Sequence, residues 1–480
     1  MRSGGDYLES LRDGRAVYVD GERVKDVTTH PAFAAPARQV AAMYDRASDP
    51  ANQDHSSYVD AVTGRRWSSM WLLPRSAEDL AVRRRGHRFW AEASYGLMGR
   101  TPDCVAGVLT GFAGAPEVFG AGGRRFADNV VRFYERAREM DLYAAYAVNP
   151  LYGDRSRPAH QQAEPFLYAG AAQERDGGIV LRGGITVATA AVLADYILVS
   201  YLVPLQPGDE DYAISVMVPC NAEGLRLYPR RSYVGADAAA HDYPLSTRFD
   251  ESDSLLALND VFVPWEHVFV YRNVELVKAQ WFETAAHTLS NFQCLTRYGV
   301  KLEFAAGLAV KLAELHHTVA SPAVQAQLGA EVAMIASVVE ALVDAAERRP
   351  VLRHGVAWPN PQFIYAAQSF QQQTVMDLMR AIRQLAAGSF ITVPSSHRSF
   401  QHPDTAADTR RYYAAATVGA EDRVKLLSLI WDFVATEFAG RQLQYEMFYS
   451  AGQQVVDART FKYFDWSRGR ALVDRCLSEY

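Results

Sequence analysis

Apolar and polar positions change their period twice along the chain. In residues 1–145 apolar side chains recur at helical spacing between turn signals. The clearest stretch is Arg75 to Met98 (RSAEDLAVRRRGHRFWAEASYGLM), where Leu80, Phe89, Trp90 and Ala93 fall on one stripe. Ser76 stands where an N-cap belongs, with Asp79 three residues on, and Gly99 followed by Pro102 interrupts the pattern. In residues 146–275 the period shortens. The run from Gly178 (GIVLRGGITVATAAVLADYILVSYLVPL) is rich in Val, Ile, Thr and Tyr and predicts strands separated by a turn at Gly183-Gly184. Tyr212–Pro219 and Asp253–Tyr271 predict further strands, and Pro219, Pro244 and Pro264 sit at the ends of such runs, where a missing donor does least harm.

Residues 276–480 return to a helical period. Val300, Phe304, Leu308 and Leu312 repeat every four residues, and Leu315 extends their face. Lys425 to Phe438 is apolar nearly all round, which predicts burial inside a bundle or a subunit interface. Strands and helices do not alternate, so a doubly wound fold is excluded and the class is α+β. The predicted layout is a mainly helical domain over 1–145, an antiparallel β domain over 146–275, and a helical bundle with a tail over 276–480.

Composition narrows the partners. The 480 residues are 49% hydrophobic and 22% charged, ordinary for a globular chain, and the net charge is −6. Without a basic surplus, nucleic acid is not an expected ligand. Four cysteines, Cys104, Cys220, Cys294 and Cys476, lie far apart with no CxxC, so neither a disulfide scaffold nor a zinc finger is expected. The polar N-terminus has no signal-like apolar region, and apolar runs such as Tyr196 to Leu205 are too short to span a bilayer. A cytoplasmic protein with no membrane partner is the expectation.

Motifs of known chemistry are few. No GxGxxG follows a strand, and neither GxxxxGK[ST], GxSxG nor HExxH occurs. Gly120-Ala-Gly-Gly reads as a flexible loop, and His316-His317, late in a helix, reads as a surface or helix-end feature and not as a metal site. No metal site is expected.

Five segments carry more. Asp6–Phe33, Ser94–Asp103, Arg248–Tyr271, Thr296–Ala309 and Thr436–Ser450 (TEFAGRQLQYEMFYS) resemble, in order, the oxygenase-component family of 4-hydroxyphenylacetate 3-monooxygenases. The resemblance implies an acyl-CoA-dehydrogenase-like fold: an N-terminal helical domain, a middle antiparallel β domain and a C-terminal four-helix bundle that builds a homotetramer. It implies non-covalent FAD, delivered as FADH2 by a separate NAD(P)H-dependent flavin reductase. It further implies that O2 forms a flavin C4a-hydroperoxide that oxygenates a small phenolic or other aromatic substrate.

The same resemblance implies site residues. Gly99-Arg100-Thr101-Pro102-Asp103 matches the family's GR-x-P-D, with Arg100 as stabiliser of the peroxide or of an anionic substrate. Cys104 stands where the family has Tyr, and Tyr146 where it has His. A phenol titrates near 10, so Tyr146 can donate but not act as a base near neutrality, and Cys104 should open space. These departures imply a substrate larger or differently shaped than 4-hydroxyphenylacetate, such as a natural-product intermediate. For the flavin, Ala188 and Thr189 match an A-T-G-S stretch in which Ala190 and Ala191 replace Gly and Ser. Arg155 matches a flavin-proximal arginine, and Ser395 and Ser396 match a loop that reaches the flavin of a neighbouring subunit. Two rival readings stand beside this one. His287, Cys294 and Cys104 could belong to an iron–sulfur site like that of 4-hydroxybutyryl-CoA dehydratases, although such clusters normally need four ligands. The chain could also be an inactive flavin-fold scaffold.

Overall fold

The computed structural model describes residues 1–235 and 238–480. Its α1 (Ala77–Glu92) begins where the sequence signals it. The Ser76 hydroxyl accepts the Asp79 N–H, and the Asp79 carboxylate accepts the Arg75 N–H at 2.7 Å. The helix stops short of Met98, because Tyr95 (φ 54°) and Gly96 (φ 71°) turn the chain away. Pro102 then opens α2 (Pro102–Ala113), which is buried on nearly every side. This helix crosses α3 (Ala286–Leu315) backbone against backbone. A β-carbon at Gly111 would lie 2.3 Å from the Ala286 nitrogen, and one at Gly107 would lie 3.3 Å from the Leu289 carbonyl carbon. Glycine is what permits that approach.

Two sheets occupy the middle of the chain. Their strands are β1 (Ala144–Ala147), β2 (Gly170–Arg175), β3 (Gly178–Thr189), β4 (Tyr196–Val199), β5 (Ile214–Pro219), β6 (Leu225–Pro229), β7 (Asp253–Pro264) and β8 (Val268–Tyr271). One sheet has the order β8-β5-β4-β1; the other runs β6-β7-β3 with Asn149–Pro150 at its edge, and β2 also pairs with β3. The pairing is antiparallel as expected, except that β1 and β4 run parallel. The long excursion through β2 and β3 supplies the crossover that a parallel pair needs.

The predicted turn at Gly183-Gly184 is absent. β3 runs unbroken along β7, with Gly178 opposite Pro264 and Thr189 opposite Asp253. Gly183 instead has φ 101°, and a β-carbon there would sit 2.2 Å from the Tyr168 carbonyl oxygen. The glycine lets another segment's backbone lie against the strand.

In the C-terminal part, α3 packs with α4 (Met334–Arg348), α5 (Pro361–Ala386) and α6 (Ala420–Val434) as a bundle. Val300, Leu308, Leu312 and Leu315 are buried on the predicted face of α3, with Phe304 half-buried. Lys425 to Phe438 is not one helix. The chain breaks at Ala435, and Thr436 caps α7 (Glu437–Phe448) by accepting the Ala439 N–H. Nor is it buried all round in one chain, since Trp431 keeps 38% of its surface.

One stretch corrects the expectation that all apolar runs are too short to span a bilayer. Pro322–Arg348, which ends in α4, is long and apolar enough by composition, with a mean hydropathy of 1.6 and only 22% burial over its most apolar part. Its charges tie it into the bundle. Arg84 of α1 bridges to Glu340, to Asp344 at 3.6 Å and to Glu347 at 3.3 Å, and Arg380 of α5 bridges to Glu331 at 2.9 Å.

A buried ionic group joins α3 to α7. Arg297 meets Glu446 through two N–H···O bonds of 2.6 and 2.7 Å, Lys301 adds a third of 2.8 Å, and Gln371 donates to the same carboxylate at 2.7 Å. Burial raises the carboxyl, but Arg297 and Lys301 outweigh it and bring Glu446 down to about 2. Arg297 also donates to the Gly96 carbonyl at 2.8 Å, and the Gln442 amide donates to that of Leu97 at 2.9 Å. The turn that precedes α2 is thereby fastened to the bundle.

Gly111→Ala should destabilise by about 1–3 kcal/mol, because the backbone it meets cannot yield; urea unfolding measures it. Glu446→Gln leaves two buried cations without their carboxylate and should cost about 3–5 kcal/mol by the same assay. Glu446 ionises at lower pH in the fold than its ordinary 4.5, so its stabilisation is present above that pH and lost as pH falls through about 2. The wild-type advantage over Glu446→Gln should therefore narrow across that window.

Candidate active site

Arg100 lies in the short link between the Ser94–Gly99 turn and α2. Its backbone is held from three sides. Glu251, fully buried, accepts the N–H groups of Gly99 and Arg100, each at 2.8 Å. The Tyr143 hydroxyl donates to the Arg100 carbonyl, and the Tyr445 hydroxyl donates to that of Gly99 at 3.3 Å. With the backbone fixed, the guanidinium points into a small aromatic enclosure. The ring centroids of Tyr146, Tyr445 and Tyr449 lie 4.9, 5.3 and 5.8 Å from its central carbon.

No carboxylate among the described residues touches this guanidinium. Nη1 is directed at two sulfurs instead, Cys104 Sγ at 3.1 Å and Cys294 Sγ at 3.3 Å. Among the described residues Nε and Nη2 make no hydrogen bond, and Arg100 keeps 8% of its surface open. The hydroxyl of Tyr146 is likewise without a partner among them. Burial raises the Tyr146 hydroxyl against the pull of Arg100, so this residue is a neutral phenol and a donor. The neighbouring Cys294 sulfur, with help from Arg100, holds Cys104 below the ordinary thiol range against burial. Cys104 in turn raises Cys294, and burial adds to that. The arrangement is two sulfurs on one cation, the more acidic at Cys104.

A polar chain runs from Arg100 to the end of β3. Arg441 donates to Glu251 at 3.2 Å and to the two Asp253 oxygens at 2.9 and 3.1 Å, and the Thr189 hydroxyl donates to Asp253 at 2.6 Å. Arg230 completes the group with 3.0 Å to Asp253 and 2.7 Å to Asp250. Burial opposes ionisation of Asp253, yet the two arginines and Thr189 hold it well below the usual carboxylate range.

The structure thus brings Arg100, Cys104 and Tyr146 together and links Thr189 to them, with Ala188 fully buried beside it. Ala190, where the family has Gly, takes the left-handed φ of 61° that glycine favours. Cys104 is fully buried, its sulfur turned toward Arg100. Arg155 is exposed in the loop after β1, its guanidinium over the Tyr152 ring at 4.5 Å. Ser395 is exposed, and Ser396 donates to Asp242 at 2.9 Å. These three do not join the Arg100 group within one chain. Of the proposed iron–sulfur set, Cys104 and Cys294 do converge, but on a guanidinium; His287 faces the Tyr365 hydroxyl at 2.9 Å. Among the described residues no three His, Cys, Asp or Glu side chains are placed to hold a metal ion.

Sequence reasoning missed Glu251, Asp253, Arg441, Tyr445 and Tyr449 as site residues. A signal for them existed, since all five lie in segments that carry the family resemblance.

The family models for the N-terminal and C-terminal parts of 4-hydroxyphenylacetate 3-hydroxylase match residues 3–270 and 277–478. A (3S)-3-amino-3-(3-chloro-4-hydroxyphenyl)propanoyl-[peptidyl-carrier protein] monooxygenase of Streptomyces globisporus is 36% identical over 100% of this chain and 91% of its own. The 4-hydroxyphenylacetate 3-monooxygenase oxygenase component of Pseudomonas aeruginosa is 34% identical over 100% and 93%. A crystal structure of such an oxygenase component with FAD and 4-hydroxyphenylacetate superposes with a TM-score of 0.94 at 30% identity, covering 100% of this chain and 99% of that one. An archaeal 4-hydroxybutyryl-CoA dehydratase shares the fold at 20% identity, with a TM-score of 0.89 and coverage of 99% and 95%. The chain belongs to the 4-hydroxyphenylacetate 3-hydroxylase family and is an oxygenase component of a two-component, flavin-dependent monooxygenase.

Proposed function

We propose that this chain takes reduced FAD from a separate NAD(P)H-dependent flavin reductase and uses O2 to oxygenate a phenolic substrate of natural-product type, carried on a protein. The observation that carries this reading is Arg100: a buried cation that meets no carboxylate and leaves Nε and Nη2 unspent among the described residues, inside a box of three tyrosine rings. Such a group suits a flat anion, and a phenolate is one. The residues also suit a flavin. Thr189 and Arg100 keep 7% and 8% of their surface open and are joined through Asp253, Arg441 and Glu251, so a flavin-facing strand end and a phenol-facing cation border one site.

Reduced FAD, when bound, supplies the activation of O2. The rest falls to the chain. Arg100 and the Tyr146 hydroxyl hold the phenol oxygen and stabilise its anion, which raises electron density on the ring carbon beside it. Tyr445 and Tyr449 wall the site against water. The Thr189 hydroxyl proton is committed to Asp253, so Ala188 and Thr189 would hold the flavin through their backbone and the oxygen of that hydroxyl. Cys104 and Tyr146, in place of the family's Tyr and His, support a substrate other than free 4-hydroxyphenylacetate. The carrier-bound substrate named for the Streptomyces relative supports a tethered one.

Arg155 would lie near the flavin, and Ser395 and Ser396 would reach it from a neighbouring subunit of a homotetramer. The C-terminal helix Ser467–Leu477 has no buried residue, and Phe461, Leu472 and Val473 are 66%, 50% and 57% exposed, an apolar surface that calls for a second copy. Light scattering on the purified protein should give about four times the 53.3 kDa chain mass; a monomer would overturn this assembly.

With a flavin reductase supplying FADH2, Arg100→Met should lower product formation by about 10²–10³-fold while reduced-flavin binding, followed by fluorescence, persists. In the same assay carrier-tethered hydroxyphenyl amino acids should exceed 4-hydroxyphenylacetate. Equal turnover of the two would sink the substrate assignment, and no product from any phenol would sink the function.

A further inference from the structure

Cys104 and Cys294 have no place in the chemistry assigned above, yet they are the only groups bonded to the guanidinium among the described residues. They converge on one guanidinium nitrogen for a structural reason. α2 descends along α3 as the latter ascends: Gly111 lies on Ala286, Gly107 on Leu289, and Cys104 Sγ comes to 3.9 Å from Ser290 Oγ. One turn further along α3, Cys294 presents its sulfur to the same Nη1 as Cys104. Cys104 also lies in the first turn of α2, where the helix N-terminus favours negative charge. Its acidic neighbour Asp103 is engaged elsewhere, by His87 at 2.7 Å and by the Thr101 hydroxyl at 2.6 Å.

We propose that Cys104 and Cys294 are a peroxide-reactive couple, in which peroxide oxidises Cys104 and Cys294 closes the product to a disulfide that shuts the Arg100 site. In the first step the Cys104 sulfur attacks hydrogen peroxide. The O–O bond breaks, an S–O bond forms, the sulfur loses two electrons and hydroxide leaves. In the second step the Cys294 sulfur attacks the Cys104 sulfenic acid. The S–O bond breaks, an S–S bond forms, and the hydroxyl leaves as water with the Cys294 proton. The linked sulfurs are poorer acceptors for Arg100 Nη1, and the guanidinium is released into the space the substrate needs. The sulfur chemistry requires only peroxide. Its source during turnover, reduced flavin and O2 without a bound phenol, rests on the oxygenase reading above.

The remaining cysteines serve as controls. Burial pushes the Cys220 thiol up to about 12, which leaves it unreactive, and Cys476 is exposed on the terminal helix. The test uses full-length Cys476→Ser protein without flavin, treated with a few equivalents of hydrogen peroxide, alkylated under denaturing conditions and analysed by peptide mass spectrometry. A Cys104–Cys294 linkage, lighter by two hydrogens and reversed by dithiothreitol, is expected, with Cys104 reacting at least about tenfold faster than Cys220. In a further Cys294→Ser variant oxidation should stop at a Cys104 sulfenic acid that dimedone traps. Activity of the oxidised protein should fall with the linked fraction and return with the reductant. The proposal is overturned if both cysteines stay free to alkylate, or if Cys104 is oxidised without ever joining Cys294. Because the sulfur readout needs no flavin, its failure is separable from failure of the oxygenase function.

Discussion

Arg100 carries a full positive charge at 8% exposure, and its guanidinium meets no carboxylate among the described residues. An ion taken out of water without a partner costs several kcal/mol, so its surroundings have to answer for it. Carboxylates are near but committed. Glu251 takes the two backbone N–H groups that aim the side chain, and Asp253 takes Arg441, Arg230 and Thr189. What reaches the guanidinium is softer: three tyrosine faces and two sulfurs. This leaves the cation available to an incoming anion while its position is fixed by the main chain.

Helix packing supplies those softer partners. The glycines of α2 draw it onto α3, which sets Cys104 opposite Ser290 and Cys294. Arg441 and Tyr445 on α7 and Tyr449 at its C-cap recur every four residues and so share one face toward Arg100, while Gln442 and Glu446 turn to Lys301 and Arg297 on α3. The buried Arg297–Glu446 pair therefore does more than join two helices. It sets the rotation of α7 and with it the tyrosine walls of the site.

Distance from that centre separates the remaining residues. The segment bearing Ser396 is fixed to the loop before β7: Asp242 accepts both the Ser396 hydroxyl and the His397 N–H at 2.9 Å, and the rings of His397 and His241 stack at 4.1 Å. Anchored there, it stands apart from the Arg100 group within one chain.

Much of the fold was legible because it depends on neighbours in sequence. The Ser76 cap, the face of α3 and the switch from helical to strand period are local patterns, and the structure follows them. The Gly183-Gly184 turn, the helix break at Ala435 and the parallel β1–β4 pair were misread or unseen, since each depends on what a distant segment places against the chain. The site divides the same way. From sequence alone came Arg100 within its motif, the substitutions at 104 and 146, and the strand end at Thr189. That Cys104 faces a guanidinium and a second cysteine 190 residues away, and that Glu251 and Arg441 bind the parts into one site, was decided by tertiary structure. Burial and charge pairing act through space, and a sequence records which groups are present but not which of them are forced together out of water.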